Sequence, residues 1–121
     1  MSRKSIPHDL VKNWKRQLKK GILELAVLSI VEDEEVHGYA MIKQLKEYNI
    51  KVTASTIYPI LQRLSDKNLI TSKWAEFDQG HPRKYYTITD TGKRALAELR
   101  EEWRNFTDLM NIFILKDKEV K

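Results

Sequence analysis

The side chains with most chemistry to offer lie in two stretches, TASTIYPILQRL from Thr53 and HPRKYY from His81. Neither holds the makings of a catalyst. His8, His37 and His81 are scattered, no His and carboxylate spacing suits a metal, and neither a Gly-rich phosphate loop nor a nucleophile motif is present. The chain has no cysteine, which removes thiolate ligands and disulfides. What the two stretches do offer is hydrogen bonding. Ser55, Thr56, Tyr58, Gln62 and Arg63 carry hydroxyls, an amide and a guanidinium, the groups that read base edges and hold phosphates. Arg83 and Lys84 add two cations at a bend, and His81 is a turn residue within reach of phosphate. This is the chemistry of recognition, so the sequence predicts no enzyme, no cofactor and no metal site.

The elements that must hold these groups are legible in the spacing. Ile57, Ile60, Leu61 and Leu64 recur at i, i+3, i+4 and i+7, one apolar face of a helix. At 100° per residue, Ser55, Pro59, Gln62 and Asp66 fall opposite that face, with Tyr58 and Arg63 on its flanks. The outward surface is small and polar, as suits a helix that enters a groove. Thr53 and Ser55 are both good capping types. If Ser55 caps, Pro59 removes only the first intrahelical bond; if Thr53 caps, the helix bends slightly at Pro59. Two alternating runs follow: Ile70, Ser72, Trp74 and Glu76 between Thr71, Lys73, Ala75 and Phe77, then Lys84, Tyr86 and Ile88 between Arg83, Tyr85 and Thr87. Asp78-Gln79-Gly80-His81-Pro82 between them is dense in turn residues. A recognition helix followed by a basic hairpin reads as the core of a winged helix-turn-helix.

Upstream, residues 8–20 predict a helix with Leu10, Trp14 and Leu18 on one stripe and Asp9 in its first turn. Trp14 is read as covering core within its own subunit, the other reading being a dimer or ligand contact. Gly21 either interrupts this helix or is carried through at a cost of about 1 kcal/mol. Ile22 to Val31 is apolar almost all round and should be central and buried. His37-Gly38-Tyr39 opens the next helix, with Met41, Ile42, Leu45 and Tyr48 on its apolar side. Thr89 caps the last helix, along which Leu96, Leu99, Trp103, Phe106, Met110 and Phe113 form a heptad-like stripe. From Asp90 to Leu115 that helix is roughly 38 Å long at 1.5 Å per residue. No small winged domain covers such a length from one side, and a second copy of the chain is the simplest cover. The expected fold is mainly α with a small two-stranded wing: a basic N-terminal helix over 1–20, a winged helix-turn-helix over 21–90, and a dimerisation helix over 91–121.

The chain is one domain's length at 121 residues, 32% charged and 41% hydrophobic, a globular composition. No run reaches the roughly 18 apolar residues of a membrane span. MSRKSIPHDL lacks the apolar core of a signal peptide, so a cytoplasmic location is expected. The net charge of +5 is polarised. Arg3, Lys4, Lys12, Lys15, Arg16, Lys19 and Lys20 face Asp9 alone in residues 1–20, whereas Glu24, Glu32, Asp33, Glu34 and Glu35 have no base among residues 24–35. The basic end suits a polyanion, with Lys4, Lys15 and Lys19 adding diffuse attraction or forming a solvated face. The acidic end belongs on a surface away from phosphates.

Taken together, HGYAMIKQL, STIYPILQRLSDKNLI and GHPRKYYTITDTGKRAL resemble the PadR family of bacterial transcriptional regulators, in its short form with a single C-terminal helix. The resemblance covers about Leu18 to Trp103, departing at Ser55, where the family commonly has Gly before TIYP. It implies a homodimer formed through the last helix with help from the first, with the stripe from Leu96 to Phe113 at the interface. It implies binding to double-stranded DNA at a palindromic operator, with Tyr58 and its helix on the operator and Arg83 and Lys84 by the wing. It also implies repression released by a small aromatic or hydrophobic effector. Family members sandwich flat drugs on a tryptophan at this place in the last helix, and Trp103 in EEWRNF matches it, with Trp14 and Phe106 as neighbours. The bland alternative for Trp103 is tight dimer core. The rival function is a winged-helix protein–protein interaction module without specific DNA binding; the polar outer face of the recognition helix weighs against it.

Overall fold

A computed structural model describes residues 5–76 and 81–116; Arg3, Lys4 and most of the expected wing turn, Asp78-Gln79-Gly80, lie outside them. The helical periodicity of the N-terminal third forms a single element, α1 (Leu10–Asp33). It passes through Gly21 unbroken, and a Cβ there would meet nothing within 4 Å. Asp9 stands at the N-cap, not in the first turn, and makes no side-chain capping bond. The two halves of α1 have different surroundings. Leu23, Val27, Leu28 and Val31 are buried, as the apolar run from Ile22 predicts. Leu10, Val11, Trp14 and Leu18 are exposed. The expectation that Trp14 covers its own subunit's core is therefore corrected: Trp14 is 57% exposed, because α1 extends past the last element able to pack on it.

A two-residue strand, β1 (Val36–His37), precedes α2 (Gly38–Glu47). His37 caps α2, its Nδ1 accepting from the Ala40 N–H at 3.1 Å. The next helix, α3 (Ala54–Asp66), begins after Thr53, so Pro59 lies inside it. Pro59 has no N–H for the Ser55 carbonyl, a loss tolerated on an exposed face that water solvates. Both helices end alike. Asn49 and Asn68 take φ of 63° and 65°, and each is followed by an apolar residue whose N–H returns to the helix: Ile50 to Leu45 O and Leu69 to Leu64 O, both at 3.0 Å. With the Asn49 bond to Lys46 O and the Asn68 bond to Ser65 O, each at 2.9 Å, these are Schellman closures with asparagine in the left-handed position.

β2 (Ile70–Ala75) and β3 (Arg83–Ile88) form the expected hairpin in antiparallel register, with Ile70 opposite Ile88 and Trp74 opposite Lys84. The sheet has three strands in the order β1-β3-β2, one more than the two-stranded wing expected. The addition is small, Val36 opposite Tyr86 and His37 opposite Tyr85, and it ties the start of α2 to the wing. Thr89 caps α4 (Asp90–Ile114) by accepting from Gly92 N at 2.9 Å, while its one hydroxyl hydrogen is shared between the carbonyls of Asn68 at 2.8 Å and Leu69 at 3.0 Å. The core gathers the second half of α1, Met41 and Leu45 of α2, the apolar face of α3, Ile70, Tyr86 and Leu96.

Candidate nucleic-acid interface

Recognition by a helix needs one face anchored and the other free. On α3, Ile57, Ile60, Leu61 and Leu64 are all buried, which holds the helix against the core by burial of apolar surface. Ser55, Thr56, Tyr58, Pro59, Gln62, Arg63 and Asp66 are all exposed. Gln62 donates to Asp66 at 2.9 Å, which orients its amide along the outer face. The N-terminal hydroxyls form a chain, Thr53 to Ser55 at 2.8 Å and Thr53 to Thr56 at 3.4 Å. Arg63 is engaged within the fold: its Nε donates to Glu24 Oε1 at 2.7 Å. That pair fixes the flank of α3 on α1 and leaves Arg63 less charge to offer a phosphate.

Tyr58 leans from α3 over the start of α2. A Cβ on Gly38 would stand 2.7 Å from the outer end of the Tyr58 ring, so the glycine leaves the space in which that ring lies. Beside them opens a recess of about 350 Å³ lined by Tyr58, Gln62, Trp74, Arg83, Lys84 and Tyr86. It brings two of the expected α3 contacts together with both expected wing cations. The pleat sends those cations to opposite faces of the hairpin. Lys84 shares the face of buried Tyr86, with its Nζ 6.0 Å from that ring. Arg83 lies on the other face, its guanidinium 5.5 Å from the Tyr39 ring, which also takes Lys43 at 5.9 Å. His37 meets Tyr85 edge-on at 5.2 Å, completing a cationic and aromatic patch around the start of α2. Burial, and secondarily the nearby Tyr58 phenol, pushes the Tyr86 hydroxyl above its ordinary 10.0, so it stays a neutral donor. His81 is exposed and lies just before β3.

Trp74 joins the expected site residues. It is 69% exposed and lines the recess with Tyr58 and Gln62. Its parity with Ile70 in the strand pattern was the available signal. The acidic run at and just beyond the end of α1 makes ion pairs with other elements of the chain: Glu32 with Arg100 at 2.8 Å and Glu35 with Lys73 at 3.4 Å.

The residues expected at a dimer interface divide. Leu99, Trp103, Phe106 and Phe113 are exposed and Met110 is half-buried, but Leu96 is fully buried. Leu96 is thereby corrected to a core residue, since the first turns of α4 pack on α1 of the same chain. Of the residues expected to meet an effector, Trp103 and Phe106 line an apolar groove of about 550 Å³ with Leu18, Leu25, Leu28 and Leu69. Trp14 is not among its lining residues. Among the described residues no group of three or more His, Asp or Glu is placed to hold a metal, and no helix is long and apolar enough to cross a membrane.

Comparison with known proteins bears on this geometry. The model of the transcriptional regulator PadR-like family matches residues 27–98. The chain is similar to a crystal structure of a PadR family transcriptional regulator from Eggerthella lenta, with a TM-score of 0.81 and 34% identity over 90% of this chain and 96% of that one. It is 33% identical over 85 residues to the transcriptional regulator Rv3488 of Mycobacterium tuberculosis, covering 70% of this chain and 78% of that protein. It is also similar to Bacillus subtilis PadR solved in complex with operator DNA, with a TM-score of 0.59 and 31% identity over 64% of this chain and 45% of that one.

Proposed function

The chain belongs to the PadR-like family of transcriptional regulators, and from that premise we propose that it binds a palindromic operator in double-stranded DNA as a homodimer, as a repressor that a flat aromatic or hydrophobic effector releases. The observation that carries the DNA reading is the division of α3 into a buried apolar face and an exposed polar one, beside a recess lined by Arg83 and Lys84. Ser55, Thr56, Tyr58 and Gln62 reach base edges or backbone in the major groove. Arg83, Lys84 and His81 take phosphates at the wing, and Arg63 serves chiefly to hold α3 on α1. The solved complex of Bacillus subtilis PadR with operator DNA, a chain of which this one spans less than half, supports operator DNA as the partner.

The homodimer reading is supported by apolar surface that this chain leaves open on two helices: Leu99, Trp103, Phe106, Leu109 and Phe113 of α4, and Leu10, Val11, Trp14 and Leu18 of α1. A second copy buries both stripes in one isologous contact. The effector reading is supported by the groove at Trp103 and Phe106, whose apolar walls suit a planar ring. Such a ligand releases DNA only by favouring one separation of the two winged domains over another.

The DNA reading is tested by comparing variants on a tight-binding duplex. Arg83→Ala and Lys84→Ala should weaken binding to all sequences and lower the salt slope by about one unit per lost phosphate contact. Gln62→Ala should instead change sequence preference. Wing variants that match the parent at every salt concentration would refute the wing's assignment, and uniform weakening by Gln62→Ala would remove its role in base reading.

A further inference from the structure

A helix about 10–12 Å across fills a major groove about 12 Å wide, so both of its flanks face a phosphate strand. The proposal above supplies cations on one flank of α3 only, the side of Tyr58 and the wing. On the other flank, Thr56, Pro59, Ile60 and Arg63 follow one another at helical spacing and form a wall of a groove of about 620 Å³. Its opposite wall is α1, where Arg16, Lys19, Lys20 and Leu23 share a face at the same spacing. Lys51, from the connection between α2 and α3, lines it too. No carboxylate is among the lining residues.

We propose that this groove seats the second phosphate strand bordering the major groove that α3 enters, with Arg16, Lys19, Lys20 and Lys51 as its cations. The inference rests on α3 being the recognition helix. Among the described residues the ion pairs are His8–Asp9, Arg63–Glu24, Lys73–Glu35, Arg100–Glu32 and Arg104–Glu101, and none involves these four cations. Arg63 is left out because Glu24 already neutralises it. Like charges at i,i+3 and i,i+4 disfavour a helix, as Arg16 does with Lys19 and Lys20. A helix that turns three of them toward one groove is relieved when an anion enters it. Of the basic residues on α1, Lys12 and Lys15 lie outside this groove, whereas Arg16, Lys19 and Lys20 line it beside the helix that carries the base-reading side chains. The continuity of α1 through Gly21 is what permits this. A break there would detach Arg16, Lys19 and Lys20 from the half of the helix that packs on α3.

The test uses the full chain and a duplex recovered by selection from a random pool. Lys19→Gln with Lys20→Gln should lower the salt slope of binding by roughly two units, since each phosphate contact contributes about 0.9. Ethylation interference should show two phosphate clusters bordering each half-site on opposite strands, with one lost in this variant and the wing-side one retained. Lys93→Gln with Arg94→Gln, which removes the same charge from α4 away from both recesses, should leave slope and pattern at parental values. Thermal melting of each variant by circular dichroism separates a lost contact from a lost fold, and Lys51→Gln, placed on a connection, reports on the same cluster without touching α1. A parental slope and interference pattern in both groove variants would overturn the proposal. So would weaker binding with an unchanged slope, since the groove would then act on the position of α3 and not on phosphate. A parent chain that binds no duplex would instead overturn the operator-binding reading beneath it.

Discussion

On α3, neighbouring residues have opposite fates: Ile57 is buried, Tyr58 is presented, Leu61 is buried, Gln62 is presented. A rotation of one residue would exchange the two sets, so the buried isoleucines and leucines also fix which polar groups meet a partner. Trp103 is the residue whose role is least determined by its own chain, at 43% exposed on the rim of the apolar groove. If a flat ligand stacks there, tryptophan fluorescence titrated with planar aromatic dyes should be quenched with saturation near the micromolar range. The quenching should vanish in Trp103→Ala while Trp14 and Trp74 still emit. Unchanged quenching in a Trp103→Ala protein that remains dimeric would place any ligand elsewhere. The residues of the recognition face were legible because side-chain type and helical period together determine outwardness. Arg63 was not fully legible: its partner Glu24 is 39 positions away in sequence, and no local pattern encodes that pair. Trp14 and Leu96 exchanged expected roles for the same reason, since apolar periodicity identifies a face but not which chain covers it.

At the scale of elements, the molecule is held in register by how its helices start and stop. Thr89 and Gly92 join α4 to the end of α3: the Thr89 hydroxyl bonds the Leu69 carbonyl, and a Cβ on Gly92 would fall onto that same carbonyl oxygen. Gly92→Ala should therefore destabilise the fold by roughly 1–3 kcal/mol, the range for overpacking a closed contact, with the cap at Gly92 N lost as well. Urea unfolding measures this; a midpoint equal to the parent's would mean that α4 can shift freely and that the contact does not position it. Most elements were legible, because α2, α3, β2, β3 and α4 each carry their own period and end signal. β1 was not, since two residues show no alternation and Val36–His37 become a strand only through Tyr85 and Tyr86. Nor was the continuity of α1, because a single glycine weakens a helix without deciding whether flanking contacts carry it through.

For the whole molecule, α1 and α4 leave apolar stripes exposed, and the proposed cover is a second copy of the chain. Light scattering at micromolar concentration should give a particle of twice 14.3 kDa. Replacing both Phe106 and Met110 by charged residues should yield monomer or unfolded chain, and a parent particle of 14.3 kDa would contradict the dimer. In the proposed two-fold dimer the two α3 helices should lie about 34 Å apart, one turn of the double helix. Enrichment of bound duplexes from a random pool tests that arrangement and operator recognition together. Two inverted half-sites with centres about 10 bp apart are expected, bound with a steep dependence on salt concentration. A pool that stays random through repeated rounds, or enrichment of a single unrepeated site, would contradict this expectation.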